Sequence, residues 1–302
     1  MMPTTTPMRI LIAHDGSAGA DEALADLHHS GLPHVAEVLV VSIAEEWLPH
    51  SRRIANAPPD AHPGLAAARA TAVQAGQCLV GAFPDWRVRT KALAGSPAGR
   101  ILESAREWDA GLIAVGSLGR SPMDRLLLGS VAGKVANEAH CSVRICRYRE
   151  LQPGERMNIM IGFDGAAGSW NAVRAVAGRR WPAHTQVALV TCDGFGVSPI
   201  TGMCTPAEED FARELQAPAA RLLRDAGLDV SPAVLEGDPK SKLAEYAAAY
   251  RVSAIFIGDS ENSALHRALM GTVASAVIRR VTCSVEVVRT PADSGRPPSE
   301  VA

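Results

Sequence analysis

The sequence predicts an α/β protein built as two tandem doubly wound parallel five-stranded sheets. Three observations predict it. First, the chain repeats itself, a signal that precedes every other reading of a fold. Asp15-Gly16 recurs 149 positions later as Asp164-Gly165, and Cys141-Ser142-Val143 recurs 142 positions later as Cys283-Ser284-Val285. Second, each copy alternates short apolar runs with longer segments of helical period, which is the order that gives a parallel sheet covered on both faces. Third, those runs are apolar at nearly every position rather than at every second one, as strands buried on both faces require. At 302 residues the chain is long enough for two such units, each with its own core.

The elements follow in the same order in both copies. The first strands are 9–13 and 158–163, each ending in an Asp-Gly turn. Helices follow, through Leu24 and Leu27 in one copy and Val173 and Val176 in the other. Second strands fall at 38–43 and 187–192, long helices at about 65–80 and 207–226, and third strands near Val88 and Val230. Helices at about 98–108 and 241–250 lead to fourth strands at 112–115 and 254–257. A last helix in each copy leads to fifth strands at 143–146 and 285–288.

The offset of 149 holds through Pro33/Pro182 and Ser42/Thr191 and has become 142 by Gly95-Ser96-Pro97 and Gly237-Asp238-Pro239. The first copy therefore has seven extra residues between its second and third strands. Between those strands lies a loop over 47–64, rich in Pro and His, of the length that goes with function or mobility. A linker over 149–156, with Pro153 and Gly154, separates domains expected at 8–148 and 156–290. The Pro, Ser and Gly of the tail from Pro291 read as disorder.

Composition narrows the function. A net charge of −2 gives no bulk attraction to nucleic acid or to an anionic membrane. No apolar run reaches the ~20 residues that cross a bilayer, and the polar segment before strand one does not read as a signal peptide. The six cysteines form no CxxC pair and no small-domain disulfide pattern, so they read as reduced thiols of a cytoplasmic protein. Cys141 and Cys283 read as small packing residues. His28, His29 and His34 read as helix-end or surface residues, and no metal site is expected.

The chemistry is expected beyond the carboxyl ends of the strands, where the strand order reverses. Two features of the first copy converge there: Asp15 after strand one, and the stretch from Gly116 to Val131 after strand four. Gly116 and Gly119 let the backbone turn tightly and approach a phosphate with no Cβ between. Gly129 and Ser130 open the last helix, whose unpaired amides and positive dipole end favour an anion. The Ser130 hydroxyl adds a donor. Asp15 can accept from a sugar hydroxyl or a base amine, or can cap its own turn.

This G-x2-G-x9-G-[ST] spacing, with Asp-Gly-Ser after strand one, Gly-Ser-Pro before the third helix and Gly-Ser-Val-Ala over 129–132, resembles the nucleotide motif of the universal stress protein family. The resemblance runs over nearly the whole chain, although Ser142 stands where the family usually has Pro. It implies a Rossmann-like fold of the adenine-nucleotide α-hydrolase type and ATP, with Mg²⁺, bound in the first copy. It places Ala13 and Asp15 beside the adenine and ribose, and Ser42 near the base. Gly116, Ser117, Gly119, Gly129, Ser130 and Val131 line the phosphates, with Arg120 and Arg125 as possible further contacts. It also implies pairing of the two fifth strands as an intramolecular pseudo-dimer, with a homodimer of chains as a further step.

The second copy departs from the motif. It reads Gly258-Asp259-Ser260-Glu261, so Glu261 replaces the second glycine, and Asp259 and Glu261 are expected to face an incoming phosphate. Like charges a few Å apart cost about 1–4 kcal/mol, so this copy is expected to bind ATP weakly or not at all. The leading function is an ATP-binding stress-response sensor or regulator that acts on an unknown protein partner. There is no Walker lysine and no base near the loop, so at most slow ATP hydrolysis is expected. An ATPase or adenylate-forming ligase would need a Ser-Gly-Gly-type loop, which His14-Asp15-Gly16-Ser17 does not match. A dimerising scaffold that binds no nucleotide is the third reading.

Overall fold

The computed structural model describes residues 7–45, 64–117, 128–152, 154–193, 206–259 and 272–290. The first half runs β1 (Met8–Ala13), α1 (Ala18–Asp26), a 3-10 turn (Leu27–His29), β2 (Ala36–Glu45), α2 (Leu65–Ala82), β3 (Arg87–Gly95), α3 (Pro97–Glu107), β4 (Leu112–Gly116), α4 (Ser130–Glu138) and β5 (Ser142–Cys146). The second half repeats it as β6 (Asn158–Gly162), α5 (Ala167–Ala177), β7 (Gln186–Asp193), α6 (Pro206–Asp225), β8 (Asp229–Glu236), α7 (Pro239–Ala249), β9 (Ala254–Gly258), α8 (Thr272–Arg280) and β10 (Ser284–Val288).

Each half is the expected five-stranded parallel sheet, and the two fifth strands pair as the resemblance implied. The two halves form one ten-stranded sheet in the order β3-β2-β1-β4-β5-β10-β9-β6-β7-β8. The join is the antiparallel pair of fifth strands, with Arg144 opposite Glu286, Val143 opposite Val287 and Ile145 opposite Val285. Residues 144 and 286 are equivalent in the repeat, so a pseudo-twofold axis passes through their pair. Pairing covers two strand edges that would otherwise offer unpaired backbone groups.

The strands alternate their side chains between two helical layers. On one face, Leu11, Ile113, Val143, Ile145, Ile255, Val285 and Val287 pack under α3, α4, α7 and α8 in a single core that crosses from half to half. On the other face the core is split. Ile10, Ile12, Val38 and Val40 pack under α1 and α2, while Ile159, Ile161, Val187 and Leu189 pack under α5 and α6.

Between those two cores, on the axis, lies a buried set of charges. Arg144 donates from Nε and Nη2 to Asp26 at 2.6 and 3.2 Å. Its Nη1 lies 3.5 Å from Glu286, which also pairs with Arg179. Ser284 Oγ donates to Asp26 at 2.7 Å, and Arg179 donates to the Ser30 carbonyl at 2.9 Å.

The loop over 47–64 and the tail beyond residue 290 fall outside the described residues, apart from Gly64. No described helix is long and apolar enough to cross a membrane.

Candidate functional site

In each half the strand order reverses between the first and fourth strands, which places a crevice over the ends of β1 and β4 and another over β6 and β9. The first is built as follows. β1 pairs with β2 so that Ala13 lies opposite Val41, and the His14 amide still donates to the Val41 carbonyl. The chain then turns at Gly16, with φ of +78°, a left-handed conformation that favours glycine. Asp15 Oδ1 accepts from the Ser17 amide at 3.0 Å and the Ser17 hydroxyl at 2.6 Å, and Ser17 caps α1 through the Ala20 amide. Asp15 thus closes the turn with one of its oxygens, the capping role weighed against a ligand role.

His14 is buried beside it. Its Nδ1 accepts from the Gly16 amide at 3.2 Å, so the proton sits on Nε2, which donates to Asp21 at 3.1 Å. Both ring nitrogens are engaged, and His14 is a positioning residue for the turn.

Ser42 lies in β2 one residue beyond the partner of Ala13, so it stands on the wall that β2 raises past the end of β1. It is buried and three residues short of the strand end, not at the end itself.

The phosphate-loop region is held at both ends. A Cβ on Gly116 would sit 2.5 Å from the Gly19 carbonyl oxygen, so α1 crosses β4 where only glycine fits. The Ser117 amide donates to the Cys146 carbonyl at 3.2 Å, and its carbonyl accepts from the Gly129 amide at 2.8 Å. That second bond brings the two ends of the loop together. Gly129 is the N-cap of α4, no side chain among the described residues caps that helix, and Ser130 is exposed in its first turn with Val131 beside it. The first-turn amides therefore have no intrahelical acceptor and can serve an anion. Gly119, Arg120 and Arg125 lie outside the described residues.

The second crevice has the same frame and a different filling. A Cβ on Gly258 would collide with the Gly168 carbonyl, and the Asp259 amide donates to the Val288 carbonyl, both copies of contacts in the first half. But Phe163 replaces His14 and Trp170 replaces Asp21, and the two rings meet edge to face at 5.5 Å. At the turn glycine, Thr71 stands 3.5 Å from the ideal Cβ of Gly16, whereas Leu215 stands 2.7 Å from that of Gly165. Next to Leu215, buried Gln216 donates to Thr191 Oγ1, the Leu189 carbonyl and the Ala233 carbonyl, each at 2.9 Å. The first half has Ala72 in that place. Thr191 is the counterpart of Ser42, so in the second half a larger side chain of α6 is hydrogen-bonded to the wall where the first half has alanine.

Asp259 does not face the crevice as expected. Its Oδ2 accepts from Arg289 Nε at 2.7 Å, and Arg289 also donates to the Ala136 and Cys141 carbonyls at 2.6 and 3.4 Å. The arginine that follows the fifth strand is close enough to satisfy the carboxylate, which turns inward. Glu261 lies outside the described residues.

Among the described residues no three His, Cys, Asp or Glu side chains cluster as a metal site. Burial pushes the Cys141 and Cys283 thiols up to about 12, so neither is a thiolate at neutral pH.

The universal stress protein family profile matches residues 7–147 and again 155–289. The chain belongs to the universal stress protein family. It is 27% identical over 284 residues to universal stress protein Rv2624c of Mycobacterium tuberculosis, covering 94% of this chain and 97% of that one. A shorter stretch of 65 residues is 41% identical to universal stress protein MJ0531 of Methanocaldococcus jannaschii, 21% of this chain and 38% of that protein. The solved structure of a universal stress protein from Archaeoglobus fulgidus superposes with a TM-score of 0.63 at 17% identity, over 94% of this chain and 97% of that one. That likeness confirms the fold of this tandem universal stress protein.

Sequence reasoning missed the contrast at Thr71/Leu215 and Ala72/Gln216, because these positions lie in helices without a motif. It also missed the charges on the axis. Their signal was present: Arg144 and Glu286 are opposite charges at equivalent positions of otherwise apolar strands.

Proposed function

We propose that this universal stress protein binds ATP, with Mg²⁺, in its first half only, and acts as a nucleotide-dependent regulator rather than a rapid enzyme. The observation that carries the reading is the contrast between two crevices of one frame. The first has its loop ends joined at Ser117 and Gly129, an α4 that opens on Gly129 with no side-chain cap among the described residues, and the small Thr71 and Ala72 beside its turn and wall; in the second, Leu215 and Gln216 stand in those places and Phe163 replaces His14. In this reading Ala13, Asp15 and Ser42 border the adenosine. Gly116, Ser117, Gly119, Arg120, Gly129, Ser130 and Val131 surround the phosphates, and Ser130 donates from its hydroxyl. The units 8–148 and 156–290 then divide the work, the first binding and the second supporting. A cytoplasmic location and a homodimer of chains belong to the same proposal.

The test is calorimetric titration of the nucleotide-free chain with MgATP, read as stoichiometry. One ATP per chain is expected. Gly119→Glu, which copies the second half, is expected to abolish binding. Two ATP per chain would refute a silent second half. No binding would leave the scaffold reading in its place.

A further inference from the structure

The two fifth strands are each followed by equivalent arginines, Arg147 and Arg289, and each reaches across the axis into the other half. Arg147 donates from Nη2 to the Ile278 carbonyl at 2.8 Å and from Nη1 to the Cys283 carbonyl at 3.4 Å. Arg289 makes the same two bonds to Ala136 and Cys141. Their backbone amides match as well: Arg147 N donates to Ser284 Oγ and Arg289 N to Ser142 Oγ. The two side chains therefore hold equivalent places.

They differ in one partner. Arg289 Nε donates to Asp259, whereas Ser117 occupies the corresponding position of the first half. Arg147 is 5% exposed, its Nε is buried with no hydrogen-bond partner, and no described carboxylate pairs with it. All its acceptors are neutral carbonyls. Among the described residues, the first half thus keeps a cation without a carboxylate partner, next in the chain to Cys146, whose carbonyl accepts from the amide of Ser117, the residue whose own carbonyl clasps Gly129. The second half neutralises the same cation with its own carboxylate.

We propose that Arg147 sets the preference of the first crevice for phosphorylated over unphosphorylated ligands, and that Asp259 removes that preference from the second. The inference rests on the nucleotide reading of the first half and names a residue that acts through its field, without touching the ligand. A buried charge is poorly screened by solvent, and a guanidinium keeps its proton even when burial lowers its pKa, as it does here. The field adds to that of the α4 amides and acts on phosphate charge but not on adenosine.

The test is calorimetry of the full chain with two probes, MgATP and adenosine. Arg147→Met is expected to weaken MgATP about tenfold or more and to leave adenosine nearly unchanged. Arg147→Lys, which keeps the charge, is expected to restore most of the MgATP affinity. Equal weakening of both probes, or an unchanged MgATP affinity, would overturn the proposal and make Arg147 a structural cap.

Should Arg147→Met not fold, Ser117→Asp and Ser117→Asn decide. The aspartate reproduces the pair of the second half, so it is expected to melt higher than the asparagine variant while binding MgATP more weakly. An aspartate variant no more stable than the asparagine one would show that Arg147 does not face position 117, and would overturn the proposal. Failure of the unaltered chain to bind either probe would instead refute the nucleotide reading, and the role of Arg147 with it.

Discussion

Gly116 and Gly258 show what a single position can hold in place. Each lies where a helix crosses the end of a fourth strand, with a backbone carbonyl in the space that a Cβ would need. Alanine at either site must push a backbone away, an overpacking that costs about 1–3 kcal/mol. Gly116→Ala and Gly258→Ala are therefore both expected to lower the melting temperature. Only Gly116→Ala is expected to weaken MgATP, since only its helix borders the proposed site. Equal loss of MgATP affinity in both would show that the effect travels through global stability. A backbone need was legible at Gly116, but its reason was not: the sequence reading gave the space to a phosphate, whereas the Gly19 carbonyl of α1 takes it. Thr71 and Ala72 were not legible. A helix tolerates many residues at such positions, and their meaning appears only when α2 is seen beside the turn at Gly16. The same holds for Asp259, whose charge was readable but whose direction was set by an arginine 30 residues away.

Most elements were expected within a few residues, since the alternation of apolar run and helix is carried by many positions at once. The linker was expected too, as a composition, but its structure was not. Arg149 Nη1 donates to both oxygens of Glu155 at 2.9 Å, the Gln152 amide donates to Glu155 at 3.0 Å, and Arg149 Nη2 reaches the Arg251 carbonyl at 3.2 Å. A polar, Pro-containing stretch thus closes on itself and is tied to the end of α7. The hydrogen bonds from Arg149, and then the Gln152 amide, hold the Glu155 carboxyl down at about 2, from an ordinary 4.5. A depressed folded-state pKa means that the contribution is complete above the unfolded value and is lost as pH falls toward about 2. Hydrogen exchange at the Gln152 amide measures it. Protection relative to Glu155→Gln is expected to be highest near pH 6 and to disappear as pH falls from about 4.5 to about 2. A ratio that does not change with pH would mean that the carboxylate does not hold the linker.

At the scale of the whole molecule, duplication has allowed the two fifth strands to become unlike each other. In a symmetric pair the residue on the axis meets its own copy, so an arginine there would face an arginine. Here Arg144 faces Glu286, with Asp26 behind the first and Arg179 behind the second, two charges of each sign in a buried set. The equivalents of Asp26 and Arg179 are Ala175 and Ser30, so the set belongs to the joined halves and to neither alone. Breaking one buried partner typically costs about 3–5 kcal/mol, and Glu286→Gln is expected to destabilise by that order. The double swap Arg144→Glu with Glu286→Arg separates two accounts of the join. Were the pair on the axis sufficient, the swap would restore it, because opposite charges would still face each other. With four charges acting together, the swap would set a carboxylate against Asp26 and a guanidinium against Arg179. The double swap is then expected to melt below Glu286→Gln, the reverse of what an isolated pair would do. Recovery to the unaltered melting temperature would reduce the set to a single ion pair, and leave the shape of the strands, not the arrangement of charge, to choose which edges meet.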